Sequence, residues 1–376
     1  MQFRVLWLTE NYFPNRGGMA QSCDRIVQGL RKKGIRIDIV HFCSRGEAYR
    51  WQQQQEGRYL ACPVEKDRAH TLNRLWQYIA SEDFSYTHLL AFGGNLPILA
   101  ASVWPIWMNL PLITLFRGND FDSALFSYNR QPVLLRALQQ STAVGAVSHD
   151  KVEKLKQLVP RSKVFYSPNG IDTQNWQLSP SDLAHAARWK KEQAAGKKVI
   201  GLFGQLKAKK GIPVFLEALK RSGLVADLHL LLVGDIDSDL QCQLSNLPQL
   251  SYSCLPFMDR FELLGYYPAC DAVAIPSFYD GMPNVMLESG ALGIPLLVSC
   301  TDGMKDVLGL KEEPLAWLFR SGDTADATRA LRAWAGCSAE EITQKARNCQ
   351  DHIIQNYSTA KETEIYLKIL METAQP

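Results

Sequence analysis

The chain has 376 residues, of which 46% are hydrophobic and 21% are charged, and its formal net charge at pH 7 is +3. This composition excludes a disordered or low-complexity chain, and the length exceeds what one hydrophobic core usually supports, so two domains are expected. We expect no nucleic-acid partner.

The first elements predicted along the chain are a strand and a helix. The apolar run FRVLWL ends at the loop TENYFPNRGG, and apolar residues then recur at helical spacing from Met19 to Lys33. The start has no long apolar signal core, which predicts no export. Gly17 and Gly18 open the helix, where free N–H groups suit a phosphate or an incoming anion, although such a pair also serves as a plain turn.

Short apolar runs separated by helix-length segments continue through the first half of the chain. They are IRIDIVHF, HLLAFGG, PLITLF, TAVGAVS and KVFYSPNG. Such alternation predicts a parallel, doubly wound sheet. We expect this first Rossmann-like domain to cover residues 1–172, and a polar, tryptophan-bearing stretch at 173–196 to be a linker.

A second set of apolar runs follows the predicted linker. It comprises KVIGLFG, DLHLLLVG, LSYSCL, AVAIPS and IPLLVS. The fold class predicted is therefore α/β, with a second Rossmann-like domain at 197–355. A C-terminal helix, at about 356–376, is expected to pack back on the first domain.

The stretch from Thr87 to Phe116 contains no Lys, Arg, Asp or Glu and is the one candidate for a membrane span. Glycines, asparagines and prolines interrupt it. A buried strand, a short helix and a second buried strand explain it better.

The nine cysteines are scattered and lack metal-ligand spacing, which predicts neither a disulfide framework nor a zinc site and favours a reducing cytoplasm. Residues 1–180 carry 21 Lys and Arg against 14 Asp and Glu, whereas the rest carries 20 against 24. The basic half suits an anionic acceptor or an anionic bilayer, or is an ordinary solvated surface.

The loops beyond the carboxyl ends of the strands are where an open α/β sheet binds ligands. In the second domain, Lys207, Lys209 and Lys210 crowd the loop that follows Gly204 and precedes a helix. Three lysines at a helix N-terminus oppose the helix dipole unless an anion binds there. This pattern favours a phosphate site over a solvated run of charge.

The segment PSFYDGMPNVMLESGALGIPLLVS places two carboxylates on either side of a Gly-Met-Pro turn. Asp280 is expected in the loop after a buried strand, Pro283 in the first turn of a helix, and Glu288 further along that helix. The N–H groups of residues 282–286, proline excepted, are expected to point at the space between the carboxylates. These features suit a sugar nucleotide, whereas a helix cap and a surface glutamate would be the structural alternative.

The motifs along the chain are RGG, FRGND, VSHDKVEKL, SPNGID, FGQLKAKKG, LLVGD, LLGYYPACDAVAIPS, the carboxylate segment and LFRSGD. Taken together and in this register, they resemble a GT-B glycosyltransferase of the family 4 type, from the first strand to the C-terminal helix. The resemblance implies two Rossmann-like domains that face an interdomain cleft, the first for the acceptor and the second for the nucleotide sugar.

The resemblance also implies roles for individual residues. Glu288 would hold the ribose, Asp280 the hydroxyls of the transferred sugar, and Lys210 the leaving diphosphate. The remaining residues implied in substrate binding are Gly17, Gly18, Asn169, Gln205, Gly281, Met282, Pro283, Asn284 and Val285.

Three positions depart from the usual family pattern. Asp280 is one methylene shorter than the usual Glu, and Gln205 replaces a common Arg with a neutral donor. Arg117 stands where many members have His, so it cannot accept a proton but is predicted to hold an anion or the donor sugar. The alternative for Arg117 is an ion pair with Asp120 or Asp122.

The activity implied is metal-independent transfer from a UDP-sugar or GDP-sugar to a hydroxyl acceptor in polysaccharide, lipopolysaccharide or glycolipid synthesis, with the anomeric configuration retained. No cofactor beyond the donor is expected. Two alternatives stay open, since a fold does not fix a function. One is a sugar-nucleotide epimerase or phosphorylase on the same scaffold, and the other is a degenerate binding partner of an active transferase.

A peripheral position on the inner face of the membrane is also predicted, with a glycan or lipid-linked acceptor. The observation is a set of basic and aromatic residues, namely Arg31, Lys32, Lys33, Arg36, Arg45, Tyr49, Arg50, Trp51, Trp104 and Trp107. Cations attract anionic headgroups and tryptophan favours the interface. Alternatively, the cations complement a helix dipole and the tryptophans are core residues.

Overall fold

The structure, a computed structural model, describes residues 3–44, 49–82, 85–309 and 313–374. The chain divides into two compact units. Unit 1 comprises Met1–Asn169 with Thr359–Pro376, and unit 2 comprises Gly170–Ser358. The division falls three residues before the sequence-predicted boundary at 172, and the last helix is counted with unit 1.

Unit 1 contains one mixed sheet and the helices that cover it. Its strands are β1 (Arg4–Thr9), β2 (Arg36–Cys43), β3 (Gln52–Gln54), β4 (Gly57–Pro63), β5 (His88–Phe92), β6 (Leu112–Phe116), β7 (Ser141–Ala146) and β8 (Lys163–Tyr166). Its helices are α1 (Gly18–Lys32), α2 (Arg68–Ala80), α3 (Leu96–Ala101), α4 (Trp104–Met108), α5 (Asp120–Leu125), α6 (Gln131–Gln140), α7 (His149–Leu158) and α16 (Thr359–Thr373).

The sheet of unit 1 has the strand order β3-β4-β2-β1-β5-β6-β7-β8. The described pairings are parallel except for the short hairpin of β3 with β4. The strands read as continuous apolar runs because helices cover both faces. The order reverses between β1 and β5, so the loops after these two strands flank a topological switch point.

The last helix of the chain, α16, completes the core of unit 1. Tyr366, Ile369 and Leu370 are buried in one apolar cluster with residues of β1, β2 and α1. The contact with α1 is close, because a Cβ on Gly29 would stand 2.2 Å from Oγ1 of Thr363. The glycine therefore permits the two helices to approach.

The uncharged stretch that resembled a membrane span forms β5, α3, α4 and β6 in succession. Two short helices are present where one was predicted, because Pro105 has no N–H to continue the hydrogen bonding of α3. No helix in the part of the chain that the structure describes is long and apolar enough to cross a membrane.

Unit 2 repeats the α/β plan with an entirely parallel sheet. Its strands are β9 (Lys198–Phe203), β10 (Leu228–Val233), β11 (Ser251–Leu255), β12 (Ala272–Ile275), β13 (Leu296–Ser299) and β14 (Trp317–Phe319). Its helices are α8 (Pro180–Gln193), α9 (Ile212–Ser222), α10 (Ser238–Ser245), α11 (Arg260–Leu264), α12 (Asn284–Ala291), α13 (Asp302–Leu308), α14 (Thr324–Gly336) and α15 (Ala339–Asn356).

The sheet of unit 2 has the order β11-β10-β9-β12-β13-β14, which reverses between β9 and β12. The predicted linker at 173–196 differs from the structure, since it belongs to unit 2 and contains α8. A capping box of Ser179 and Asp182 starts this helix. Trp189 then anchors it, with its ring 5.6 Å from His229 of β10.

Candidate active site

Two loops meet beyond the carboxyl ends of β9 and β12, at the switch point of unit 2. A Cβ on Gly211, which ends the first loop, would stand 2.0 Å from the carbonyl oxygen of Pro276, which begins the second. The N–H of Phe278 donates to the carbonyl of Lys209 over 3.1 Å. The two loops therefore hold each other in place where an α/β sheet usually binds its ligand.

Lys210 and Asp280 form an ion pair between these loops. Lys210 Nζ lies 2.6 Å from Asp280 Oδ2, and the hydroxyl of Ser277 donates to the same oxygen over 3.1 Å. The two side chains are 28% and 21% exposed, so the pair is open to solvent and to a ligand. The sequence predicts both as site residues but does not predict that they pair.

The loop that carries Asp280 is fastened to the neighbouring strand ends. Ser299 Oγ, at the end of β13, donates to the carbonyl of Ser277 over 2.7 Å. Thr301 Oγ1 donates to the carbonyl of Asp280 over 3.1 Å. A Cβ on Gly303 would stand 1.6 Å from the carbonyl oxygen of Gly281, so α13 abuts the loop directly. Asp280 thus projects from a rigid support.

Helix α12 begins at Asn284, as the sequence predicts, but Pro283 stands just before the helix rather than in its first turn. Pro283, with φ −69° and ψ 135°, precedes the helix as its N-cap because its ψ is extended, and Asn284 is the first helical residue. The N–H of Met286 donates to the carbonyl of Pro283 over 3.1 Å, so it does not point at open space as predicted. Residues 281–285, predicted to bind substrate, form this turn and helix start.

Glu288 lies on α12 and is 6% exposed, which excludes the surface-glutamate alternative. Its Oε2 accepts a hydrogen bond of 2.9 Å from the hydroxyl of Tyr267. Its backbone carbonyl accepts one of 2.9 Å from the indole N–H of Trp176. Side chain and backbone of Glu288 are therefore held by two aromatic residues.

The lysine-rich loop precedes α9, as the sequence predicts. Within it, residues Ala208–Lys210 form a 3₁₀ turn that ends at Gly211. Gln205, Lys207 and Lys209 are exposed. No group of three or more His, Cys, Asp and Glu side chains that could hold a metal ion occurs within 3–44, 49–82, 85–309 and 313–374.

In unit 1, Gly17 and Gly18 lie at the switch point, as the start of α1. Gly17 is the N-cap with φ +115°, a conformation that other residues rarely adopt. Apart from its chain neighbours, none of the residues that the structure describes has an atom within 4 Å of where its Cβ would stand. The glycine at 17 is thus required by the backbone rather than by crowding.

Arg117 differs from its prediction as an open anion site. Its side chain is 1% exposed and pairs with Glu362 of α16 at 3.0 Å. The guanidinium also donates to Tyr366 Oη and to the carbonyl of Ser167, each over 2.6 Å, and to Asn169 Oδ1. These contacts assign Arg117 to the docking of α16, because the group is buried and surrounded by protein acceptors.

Asp120 and Asp122, the predicted partners of Arg117, have other contacts. The carboxylate that pairs with it is not Asp120 or Asp122, since Asp122 pairs with Lys151 and Asp120 caps the N–H groups of Arg117 and Gly118. Burial raises the pKa of Asp120.

Asn169, predicted to bind substrate, is 4% exposed. Its Oδ1 also accepts from Ser22 over 3.1 Å and from Arg25 over 3.2 Å. This oxygen therefore serves the buried network and is not presented to a ligand.

Tyr267, Trp176 and Ser277 are site residues that sequence reasoning does not single out. Tyr267 and Ser277 lie within the motif LLGYYPACDAVAIPS, which is the signal that marks them. Trp176 lies in the predicted linker, and only the fold brings it to Glu288.

Comparisons with known proteins identify the family and the fold. A family model described as glycosyltransferase family 4 matches residues 16–175, and one described as glycosyl transferases group 1 matches residues 197–335. An Escherichia coli UDP-Gal:alpha-D-GlcNAc-diphosphoundecaprenol alpha-1,3-galactosyltransferase is 26% identical over 58% of this chain. The match spans 56% of that enzyme, about half of its length. An uncharacterized glycosyltransferase of Methanocaldococcus jannaschii is 27% identical over 98% of this chain and 99% of its own.

Solved structures share the fold over nearly the whole chain. Sucrose-phosphate synthase from Thermosynechococcus elongatus covers 99% of both chains with a TM-score of 0.83 at 14% identity. HepE of Anabaena, in complex with UDP-glucose, covers 99% of this chain and all of its own, with a TM-score of 0.80 at 17% identity. At these identities the likeness concerns the fold alone. The two family models show the family, and the two parallel-sheet units and the solved structures show the fold. The chain therefore belongs to the GT-B glycosyltransferases of the family 4 type.

Proposed function

We propose that this glycosyltransferase moves a hexosyl group from a nucleoside-diphosphate sugar to an acceptor hydroxyl, with retention of the anomeric configuration and without a metal ion. The observation that carries the proposal is the solvent-open pair of Lys210 and Asp280 at the switch point of unit 2. Glu288 lies on the helix that follows the same loop. The cation of Lys210 matches a diphosphate, the partly exposed carboxylate of Asp280 matches a sugar, and the carboxylate of Glu288 matches a ribose.

Lys210 would neutralise the diphosphate as it leaves. Negative charge grows on that group as the bond to C1 of the sugar breaks, so a fixed cation stabilises the transition state more than the bound donor. Asp280 would accept hydrogen bonds from the sugar hydroxyls. Its present partner Lys210 would then be shared with the phosphate.

Retention would follow from reaction on one face of the sugar. The bond from C1 to the diphosphate oxygen breaks, the acceptor oxygen forms its bond to C1 on the same side, and the acceptor proton passes to the departing phosphate. This scheme needs no protein nucleophile. The ammonium of Lys210 supplies positive charge that a metal supplies in other transferases.

The names of similar proteins support a uridine donor and a lipid-linked acceptor. The Escherichia coli relative is named for UDP-Gal and for a GlcNAc-diphosphoundecaprenol acceptor, and HepE structures hold UDP and UDP-glucose. For the present chain we propose a UDP-sugar or GDP-sugar as the donor and a hydroxyl of a glycan or lipid-linked molecule as the acceptor.

An anionic membrane surface is part of the proposal, on a smaller set of residues than the sequence suggests. Lys32, Lys33 and Arg50 are exposed, and Trp107 is 52% exposed. Together with the excess of basic residues in 1–180, they favour a peripheral position on the cytoplasmic face.

The other residues of the predicted membrane set are not exposed or lie outside the described residues. Arg36 is half-buried at the start of β2. Arg31 and Trp104 are 5% and 2% exposed and cannot reach headgroups, because Arg31 donates to the carbonyl of Ile37 and Trp104 lies in the core. Tyr49 and Trp51 pack against that core as well. Arg45 lies outside the described residues.

A thermal-shift screen of UDP, GDP and ADP sugars tests the donor assignment, because a ligand of the folded state raises the melting temperature by mass action. We expect one uridine or guanosine sugar to stabilise the protein. If none of the three classes does so, nucleotide-sugar transfer is excluded.

The identified donor then tests the reaction. We expect transfer with retained configuration, read by NMR of the product anomer, and near-full activity in EDTA. Loss of activity in EDTA that manganese restores would refute the metal-free scheme. A reaction without acceptor that converts the donor sugar into its epimer would identify an epimerase instead.

Co-sedimentation with liposomes tests the membrane surface. Binding should rise with anionic lipid content and fall with salt, and the double change of Lys32 and Lys33 to Gln should weaken it. Binding that changes with neither anionic lipid content nor salt would contradict an electrostatic attachment to the membrane.

A further inference from the structure

The contact between Tyr267 and Glu288 joins two buried side chains in the centre of unit 2. Tyr267 is fully buried and Glu288 is 6% exposed, and the phenol hydroxyl donates to Oε2 over 2.9 Å. The residues lie 21 positions apart, so the contact is tertiary rather than a local helix feature.

The ring of Tyr267 is itself fixed on two sides. Phe203, the last residue of β9, packs with its ring centroid 4.6 Å away, and Trp176 meets the ring edge-on at 5.8 Å. Trp176 also donates its indole N–H to the backbone carbonyl of Glu288. Phe203 leads directly into the loop of Lys210, so this aromatic cluster connects that loop with the helix of Glu288.

A carboxylate on a glutamate rotates readily about its last bond, because that torsion is broad rather than three-fold. A hydrogen bond from a rigid, two-torsion side chain removes this freedom. It also supplies a donor to a buried charge, which otherwise costs free energy. The hydroxyl is therefore suited to set the orientation of the carboxylate.

The hydroxyl of Tyr267 keeps its proton at neutral pH and is therefore a hydrogen-bond donor there. Burial, and then the negative charge of Glu288, raise the pKa of its hydroxyl well above the usual value. The proton thus stays on the phenol and points to the carboxylate.

We propose that Tyr267 is a positioning residue for nucleotide recognition, which holds the Glu288 carboxylate in the orientation that accepts the two ribose hydroxyls of a nucleoside diphosphate. This inference rests on the proposed function, in which Glu288 binds the ribose. It adds a residue that does not touch the ligand and acts only through Glu288.

The test is calorimetry of Tyr267→Phe with UDP and GDP, each beside its 2′,3′-dideoxy counterpart. The change removes one hydroxyl and keeps the ring. We expect about tenfold weaker binding of the ribonucleotide that the wild type prefers, in line with a lost hydrogen bond to a charged group. Binding of the dideoxy counterpart should be unchanged, because it has no diol for Glu288 to hold.

Tyr86→Phe is the matched control in unit 1. Tyr86 is also buried, and its hydroxyl donates to a buried carboxylate, that of Asp38, over the same distance of 2.9 Å. This variant should bind all four nucleotides as the wild type does. Melting curves without ligand show whether both variants fold.

Two further measurements separate positioning from simple packing. Tyr267→Phe should raise the donor KM and leave kcat nearly unchanged, because the ribose is remote from the reacting bond. In a Glu288→Gln background, Tyr267→Phe should have no further effect on ribonucleotide affinity.

Equal losses for ribonucleotide and dideoxynucleotide would overturn the inference, since they would indicate a general packing defect. Unchanged ribonucleotide affinity would overturn it as well. In both cases the wild type still binds, and the proposed function stands. A wild type that binds neither UDP nor GDP would remove the proposed function and this inference together.

Discussion

A single carboxylate oxygen of Asp280, Oδ2, accepts hydrogen bonds from the ammonium of Lys210 and from the hydroxyl of Ser277. The shorter side chain of aspartate still reaches Lys210 because the two loops are locked by Gly211 against Pro276. Asp280, which departs from the family pattern, is therefore still close enough to pair with Lys210. In the proposed reaction, this pair places Lys210 beside the diphosphate before the bond breaks.

The first residue-scale prediction is that Lys210→Ala lowers kcat by about a hundredfold to a thousandfold while donor affinity falls far less. The reason is that the charge it neutralises develops as the bond breaks. Steady-state kinetics with calorimetry of the donor measures both quantities. Lys209→Ala is the matched control, because Lys209 is an exposed neighbour that contributes only its backbone carbonyl to the loop contact. Equal losses in kcat and affinity would make Lys210 a binding residue alone.

The second residue-scale prediction concerns Glu288. Its replacement by Ala should weaken nucleotide binding by about 1.5 to 3 kcal/mol for each charge-assisted hydrogen bond lost. Calorimetry with UDP and GDP measures the change. Glu217→Ala, on the exposed side of α9 beside Arg221, should leave binding unaltered. Wild-type affinity in Glu288→Ala would exclude Glu288 from the site.

Among the elements of unit 1, one buried carboxylate of α16 contacts two other parts of the unit. Glu362 is 2% exposed in its side chain and accepts from Arg25 at 2.6 Å and from Arg117 at 3.0 Å. Arg25 lies on α1, whereas Arg117 follows β6. One glutamate therefore joins three parts of the unit.

We predict that Glu362→Ala destabilises unit 1 by about 3 to 5 kcal/mol, because it leaves the buried Arg117 without its carboxylate. Hydrogen exchange should rise in α16 and α1 and stay unchanged in the strands of unit 2. The neighbouring exposed residue supplies the control as Glu364→Ala. Wild-type protection of α16 in Glu362→Ala would show that apolar packing alone holds the helix.

For the whole molecule, buried histidines make stability depend on pH. Burial lowers the pKa of His88 to about 4, and it lowers the pKa of His41 and His229 as well. In the unfolded chain these groups titrate near their ordinary value of about 6.5. The unfolded state therefore takes up protons first, and stability that is complete above about pH 6.5 is lost as the pH falls towards 4.

We predict that urea unfolding midpoints fall between pH 6.5 and 5, and that His88→Gln reduces this dependence. Glutamine keeps a polar group near Thr373 but takes up no proton. His70→Gln, at a side chain that is 56% exposed, should leave the slope unchanged. A midpoint that is flat over this range in the wild type would contradict the assignment.

Most strands and the carboxylate helix were predictable from the sequence, because parallel strands buried on both faces read as apolar runs. The hairpin of β3 and β4 was not, since Gln52–Gln54 consists of three exposed polar residues. Helix α8 has few apolar residues at helical spacing, and its capping box is the main sequence sign of a helix there. The contacts of Arg117 with Glu362 and of Tyr267 with Glu288 were not predictable either, because tertiary folding alone brings these residues together.

The position of α16 has a consequence for synthesis on the ribosome. Met1–Asn169 leaves the ribosome first, but its last helix follows only after the whole of Gly170–Ser358 has been made. At bacterial to eukaryotic elongation rates that delay is on the order of 10 to 40 s. During this time the surface that Tyr366, Ile369 and Leu370 later cover is bare, and Arg117 lacks Glu362. Unit 2 is one continuous segment, so it can complete its core before unit 1 does. Until α16 is made, unit 1 exposes an apolar face that chaperones can bind.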